Sequence, residues 1–317
     1  MQIGDPLVFL EQGATVITPN NRLSGELIHR YCHANSMPLQ EKPACFAYPN
    51  FLRKLYQTQC HNTPKIRQPL LLTHNQCNHL WRKITASSND YCINQGLINE
   101  IQEAWNRCQR WSIDTMQPSF SDTAQTRQFQ QWAQRYNAFL QTNALITDEQ
   151  LVDFFLSDTN MTLPKTIVWH CFYDYTPQQR TFQQYLINQG CALFFTDLKK
   201  ENAKVFLYAA ADEADENNQL IHWINEQQAS GKKKLGIVIP DLHSQGSHLQ
   251  RLFNQHLTST TFNISLGQAL SQFPLISHAL CWLRLSTEIL TNHQAHLLLH
   301  SPYLLSSAAE MLARAQY

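Results

Sequence analysis

The chain has 317 residues, 43% hydrophobic and 15% charged, with 24 basic and 24 acidic side chains that balance to zero. That length predicts two domains, or one domain carrying a large insertion. Neutrality excludes a strongly basic nucleic-acid coat, though not a local basic groove, and 9 glycines exclude collagenous or glycine-rich linker architecture.

Read in chain order, residues 14–18 (ATVIT) form a short β-rich run stopped by Pro19, and a helical pattern then runs through Leu23, Leu27 and Tyr31. Residues 44–48 (ACFAY) predict a second strand, with Pro49 opening the next helix. From 70 to 156 no strand is predicted: Leu97, Ile101, Ala104, Trp105, Cys108 and Trp111 fall at helical spacing, as do Phe129, Trp132, Tyr136, Phe139 and Leu140. Such aromatic stripes read as the core of a helical subdomain.

The β/α rhythm then resumes. Residues 165–173 predict a buried strand, 176–188 a helix ended by Gly190, and 191–196 the next strand. A strand is predicted at 204–210, then a helix whose acidic start at 212–218 suits the helix dipole, closed by GKKK at 231–234. Residues 235–240 (LGIVIP) predict one more buried strand, and from about 268 onward the pattern is helical. Near-continuous apolar strands separated by helices predict an α/β fold with a parallel sheet covered on both faces. The last residues show no natural termination and read as a chain continuing beyond this sequence.

No apolar run approaches the roughly 20 residues needed to span a bilayer, and the first residues lack a secretory pattern. The 9 cysteines are scattered without a CxxC pair, which reads as reduced cytosolic thiols and predicts no metal site. The histidines are dispersed; His74 and His79 lie at i,i+5 and His293 and His296 at i,i+3, neither in an HExxH frame, and no GxSxG elbow occurs.

A phosphate-binding loop after the first strand needs spaced glycines, a lysine and a Ser or Thr. This chain offers Pro19, Asn20, Asn21 and Arg22 instead. A metal-holding acidic pair is expected at the end of a buried strand, where Cys171 and Phe172 stand; Asp174 falls later, in a turn. Both halves of an ATP site are therefore degenerate. The residues alone predict no catalytic centre and no cofactor.

Several segments resemble a family of bacterial probable DNA repair proteins related to AddB and RecC. VITPNNRLSGELIHRY is similar to that family's N-terminus, and FYDYTPQQRTFQQYL to its degenerate second helicase motif, with Cys171 where the family has glycine. ADEADENNQLIHWINEQ, LGIVIPDL and the segment 262–285 resemble the opening of a second motor domain of UvrD-like helicases, and LLLHSPYL the start of a further insertion. The likeness is collinear over most of residues 12–305, and in the middle it is one of helical character only.

The resemblance implies an inactivated superfamily 1 helicase core with a RecA-like, P-loop-NTPase-type parallel sheet. It places a first motor domain at 1–60 and 160–205, a helical insertion at 61–159, the start of a second α/β motor domain at 206–290 and a further helical insertion at 291–317. Full-length members carry a PD-(D/E)xK nuclease farther on. The implied role is a non-catalytic DNA-binding and scaffolding module of a cytoplasmic repair and recombination nuclease. Its partners would be single-stranded DNA or a duplex end and a helicase/nuclease subunit, with no membrane. Candidate DNA contacts are Asn21, Arg22, Arg53, Lys54, Asn263 and Ser265, in a cleft between two α/β lobes. The alternatives are an active ATP-dependent helicase and a protein-interaction scaffold that never touches DNA.

Overall fold

The computed structural model describes residues 4–34, 41–62, 68–86, 94–157, 161–197, 204–257, 262–267, 269–285, 289–303, 310 and 313. The chain divides into two compact units, Met1–Ala203 and Lys204–Tyr317.

The first unit opens with α1 (Pro6–Glu11), β1 (Thr15–Thr18), α2 (Asn21–Ala34), β2 (Cys45–Ala47) and α3 (Tyr48–Asn62). A two-residue β3 (Leu70–Leu71) leads to α4 (His74–Thr85), α5 (Gln95–Arg110) and α6 (Ala124–Thr142). Then come β4 (Leu145–Ile146), α7 (Leu151–Ser157), β5 (Thr166–His170), α8 (Pro177–Asn188) and β6 (Ala192–Thr196). The four longer strands form one sheet in the order β2–β1–β5–β6, with every neighbour parallel. This is the α/β architecture expected from the sequence.

Strand alternation sorts the sheet's side chains between two cores. Ile17, Ile167 and Trp169 face α3, α7 and α8, packing with Phe51, Leu55, Phe155, Phe182 and Leu186. Val16 and Val168, opposite each other in register, face Leu10 of α1 and Leu27 of α2. With helices on both faces the central strands carry no polar alternation, and β1 is buried at all four positions.

Helices α4, α5 and α6 build a separate core around Trp81, Trp105, Trp132 and Tyr136, where Trp81 and Tyr136 stack with centroids 3.9 Å apart. Two details differ from expectation. Segments 70–71 and 145–146, read as strand-free, pair as a short parallel ladder. Helix α7, read as part of the helical insertion, packs into the sheet's core through Leu151, Val152 and Phe155.

The second unit holds α9 (Glu213–Ala229), α10 (Leu242–His256), α11 (Pro274–Arg284) and α12 (Asn292–Leu299). Asp212 caps α9 by accepting from the Asp215 amide, and acidic Glu213, Asp215 and Glu216 fill its first turn. Ile221, Ile224, Leu249 and Phe253 form the α9–α10 core.

The strands expected at 204–210 and 235–240 do not form; both segments are irregular. A strand is stabilised by its ladder, and neither segment has a strand partner among the described residues. Consequently Phe206 is 87% exposed, Leu207 97% and Val238 93%. The described part of this unit is helical, and the expected second α/β sheet is absent from it.

Candidate functional site

In the first unit the chain runs from β1 outward to β2, then returns to the other side of β1 for β5 and runs outward again to β6. The boundary between β1 and β5 is therefore the topological switch point, where open parallel sheets place their ligand crevice at the carboxyl ends of the strands. A cavity of about 460 Å³ lies there, lined by residues that include Pro19 after β1 and Phe172, Asp174 and Thr176 after β5.

The β1 loop closes on itself. The Thr18 hydroxyl donates to the Asn20 carbonyl at 2.9 Å. Asn20 in turn caps α2, its Oδ1 accepting from the Leu23 amide at 3.0 Å, where an anion would otherwise meet the helix. Asn21 Oδ1 accepts from Asn50 Nδ2 at 2.8 Å, tying the loop to α3. Arg22 and Lys54 are exposed on α2 and α3.

On the β5 side, Cys171 adopts φ +58°, the left-handed region that favours glycine, and its amide donates to Thr196 O at 2.9 Å. Phe172 stacks on Tyr175 at 5.6 Å and meets Trp169 edge-on. Asp174 is exposed and lies 3.8 Å from Arg180, while Thr176 rather than Asp174 caps α8 in a reciprocal box with Gln179.

The cations near this rim are committed to carboxylates. Arg53 makes a two-pronged contact with Asp148, its Nε donating to Oδ1 at 2.7 Å, and the carboxylate raises the guanidinium pKa further. Arg110 bridges Glu149 at 3.4 Å and Glu103 at 3.8 Å. The Gln178 amide holds the Glu149 carbonyl at 2.6 Å. At the cavity wall the Tyr48 hydroxyl is buried without a hydrogen-bond partner among the described residues, and burial raises its pKa far above the ordinary phenol value. A polyphosphate entering this crevice would meet Asp148, Glu149 and Asp174 and would have to displace carboxylates from their arginines.

The remaining candidates lie in the second unit. Residues 262–267 alternate: Phe262, Ile264 and Leu266 are half-buried, whereas Asn263 and Ser265 are exposed. Asn263 and Ser265 line a groove of about 720 Å³ together with Lys232, Lys233 and Lys234. By sequence pattern that lysine run reads only as the close of a helix. Its signal was the charge run itself, and what it lacked was the neighbour 30 residues downstream. Of the six DNA-contact candidates, Asn21, Arg22, Arg53 and Lys54 belong to the first unit and Asn263 and Ser265 to the second. Asn21 is engaged near the switch-point crevice and Arg53 is paired, while Asn263 and Ser265 join the lysines.

Among the described residues no three metal-ligating side chains converge, and no helix is long and apolar enough to cross a membrane. The sequence matches no protein-family model and no curated protein.

Proposed function

We propose that this chain is a non-catalytic, helicase-like module that binds DNA and scaffolds a repair and recombination nuclease of the AddB/RecC kind. It would act in the cytoplasm beside a helicase/nuclease partner subunit. The observation that carries the DNA-binding part is the groove of the second unit, where three exposed lysines stand beside Asn263 and Ser265. Clustered ammonium groups neutralise phosphates, and short polar side chains donate hydrogen bonds to the sugar–phosphate backbone without reading sequence. The non-catalytic part is supported by the switch-point crevice, where Asn20 caps the helix terminus and arginines are held by carboxylates.

Fluorescence anisotropy with single-stranded and tailed duplex DNA at two salt concentrations tests the reading. Binding should weaken with salt and lack sequence preference. Replacing Lys232, Lys233 and Lys234 together by Gln should lower the log–log salt slope by about 0.7–0.9 for each phosphate no longer neutralised. Arg22→Ala and Lys54→Ala report whether the first unit adds contacts. No binding at tens of micromolar protein in low salt would replace this reading with a protein-interaction scaffold. A fluorescent ATP analogue should not bind. Micromolar binding abolished by substituting Asn21 or Arg22 would make the chain a nucleotide-binding motor instead.

A further inference from the structure

We propose that His29 and His33, in the last turns of α2, form a two-imidazole site for a divalent transition-metal ion of the nickel–copper–zinc group. The inference is independent of the DNA reading.

The two residues stand four apart on one helix, so their side chains share a face. Their Nε2 atoms lie 3.0 Å apart, with ring centroids 4.3 Å apart and planes at 60°. A metal bonded to each nitrogen at about 2.0–2.1 Å, with bond angles between square-planar and tetrahedral, needs those nitrogens roughly 3 Å apart. The present separation thus matches a chelate bite. Both imidazoles are exposed, so water can complete the coordination shell. The site also lies at the carboxyl end of α2, where the helix dipole favours positive charge.

In the metal-free pair one ring donates Nε2–H to the other's Nε2. Binding requires both Nε2 lone pairs, so the donor ring moves its proton to Nδ1; two neutral imidazoles then ligate with no net proton released. The bound ion cross-links consecutive turns and staples the end of α2.

His296 and His300 repeat the ring spacing, at 4.3 Å and 53°, at the end of α12. They provide an internal comparison. Cys32, an exposed thiol beside the first pair, is the obvious competing ligand.

The full chain, reduced and in a non-coordinating buffer, is titrated with NiCl2 by calorimetry. Amide hydrogen exchange is followed in parallel. Nickel should slow exchange at the end of α2. His29→Ala and His33→Ala should each weaken that nickel-dependent protection at least about tenfold in nickel concentration, because half the protein ligands are removed. Cys32→Ser and His296→Ala should leave it in place. Circular dichroism shows whether each variant keeps its helix content, and His29→Gln serves as a second variant with a polar side chain. Protection that survives both histidine substitutions, disappears with Cys32→Ser, or never develops at millimolar nickel overturns the proposal.

Discussion

Arg53 on α3 grips Asp148, 95 residues along the chain, through Nε and a terminal guanidinium nitrogen together. This contact ties α3 to the turn that leads into α7 and commits a charge that the sequence reading names as a candidate DNA contact. The two side chains are 46% and 26% exposed, so solvent screens the pair. A double-mutant cycle with Arg53→Ala and Asp148→Ala, read by denaturant unfolding, should give a coupling of about 1 kcal/mol. Arg53→Lys should recover less than half of it, because an ammonium lacks the two-pronged geometry. Zero coupling would mean that the pair does not hold α3 in solution.

Trp81 is fully buried and stacks on Tyr136 with planes 3° apart, while Trp105 meets both rings edge-on. Trp81→Ala should cost about 3–5 kcal/mol through reduced burial and the cavity left behind. Trp81→Phe should cost clearly less, because the indole N–H has no acceptor among the described residues and its removal breaks no hydrogen bond. Chemical denaturation of both variants checks the order.

Cys171 holds a left-handed backbone at φ +58° while buried. Cys171→Gly relieves that conformation but loosens the unfolded chain and removes a packed thiol, so its stability should stay within about 1 kcal/mol of the parent. Cys171→Val adds a β-branch where φ is positive and should cost about 2–3 kcal/mol. Equal stabilities for the two variants would show that this backbone strain is not present.

His170 closes β5 in the interior, with Nδ1 2.9 Å from the Thr196 hydroxyl and Nε2 3.2 Å from the Cys171 sulfur. Desolvation holds its pKa below the ordinary 6.5, against the pull of Asp197 and Asp5 and with some help from Arg30. The unfolded chain therefore takes up this proton more readily than the folded one. Stability should fall as pH drops through about 6.5, until the folded histidine also protonates. The parent should lose urea resistance between about pH 7.5 and 5.5, and His170→Gln should lose less over the same interval. A steeper loss in the variant would assign the slope to other groups.

The parallel sheet was legible because its strands carry their own burial pattern. The runs around Val16, Ile17, Ile167 and Val168 are apolar on both faces, and only a strand covered on both sides can satisfy that. The helical core was legible for the same reason, through the spacing of Trp105, Trp132 and Tyr136. The charged groups were not. Arg53 and Lys54 are neighbours in sequence, and nothing local says that Arg53 has a carboxylate waiting. Nor does any local pattern bring Lys232, Lys233 and Lys234 to Asn263.

The sequence by itself determined an α/β chain whose first strand is followed by Pro19, Asn20, Asn21 and Arg22 instead of spaced glycines and a lysine, because local apolar runs and turn residues are properties of short segments. Only the tertiary structure decided the strand order that puts the switch point between β1 and β5. It also placed α7 in the sheet's core and His29 beside His33 at chelating distance. It decided as well that residues 204–210 and 235–239, apolar enough for strands, stay irregular. A helix closes its hydrogen bonds within a few residues, but a strand's ladder, an ion pair across 95 residues and a groove are completed by distant parts of the chain.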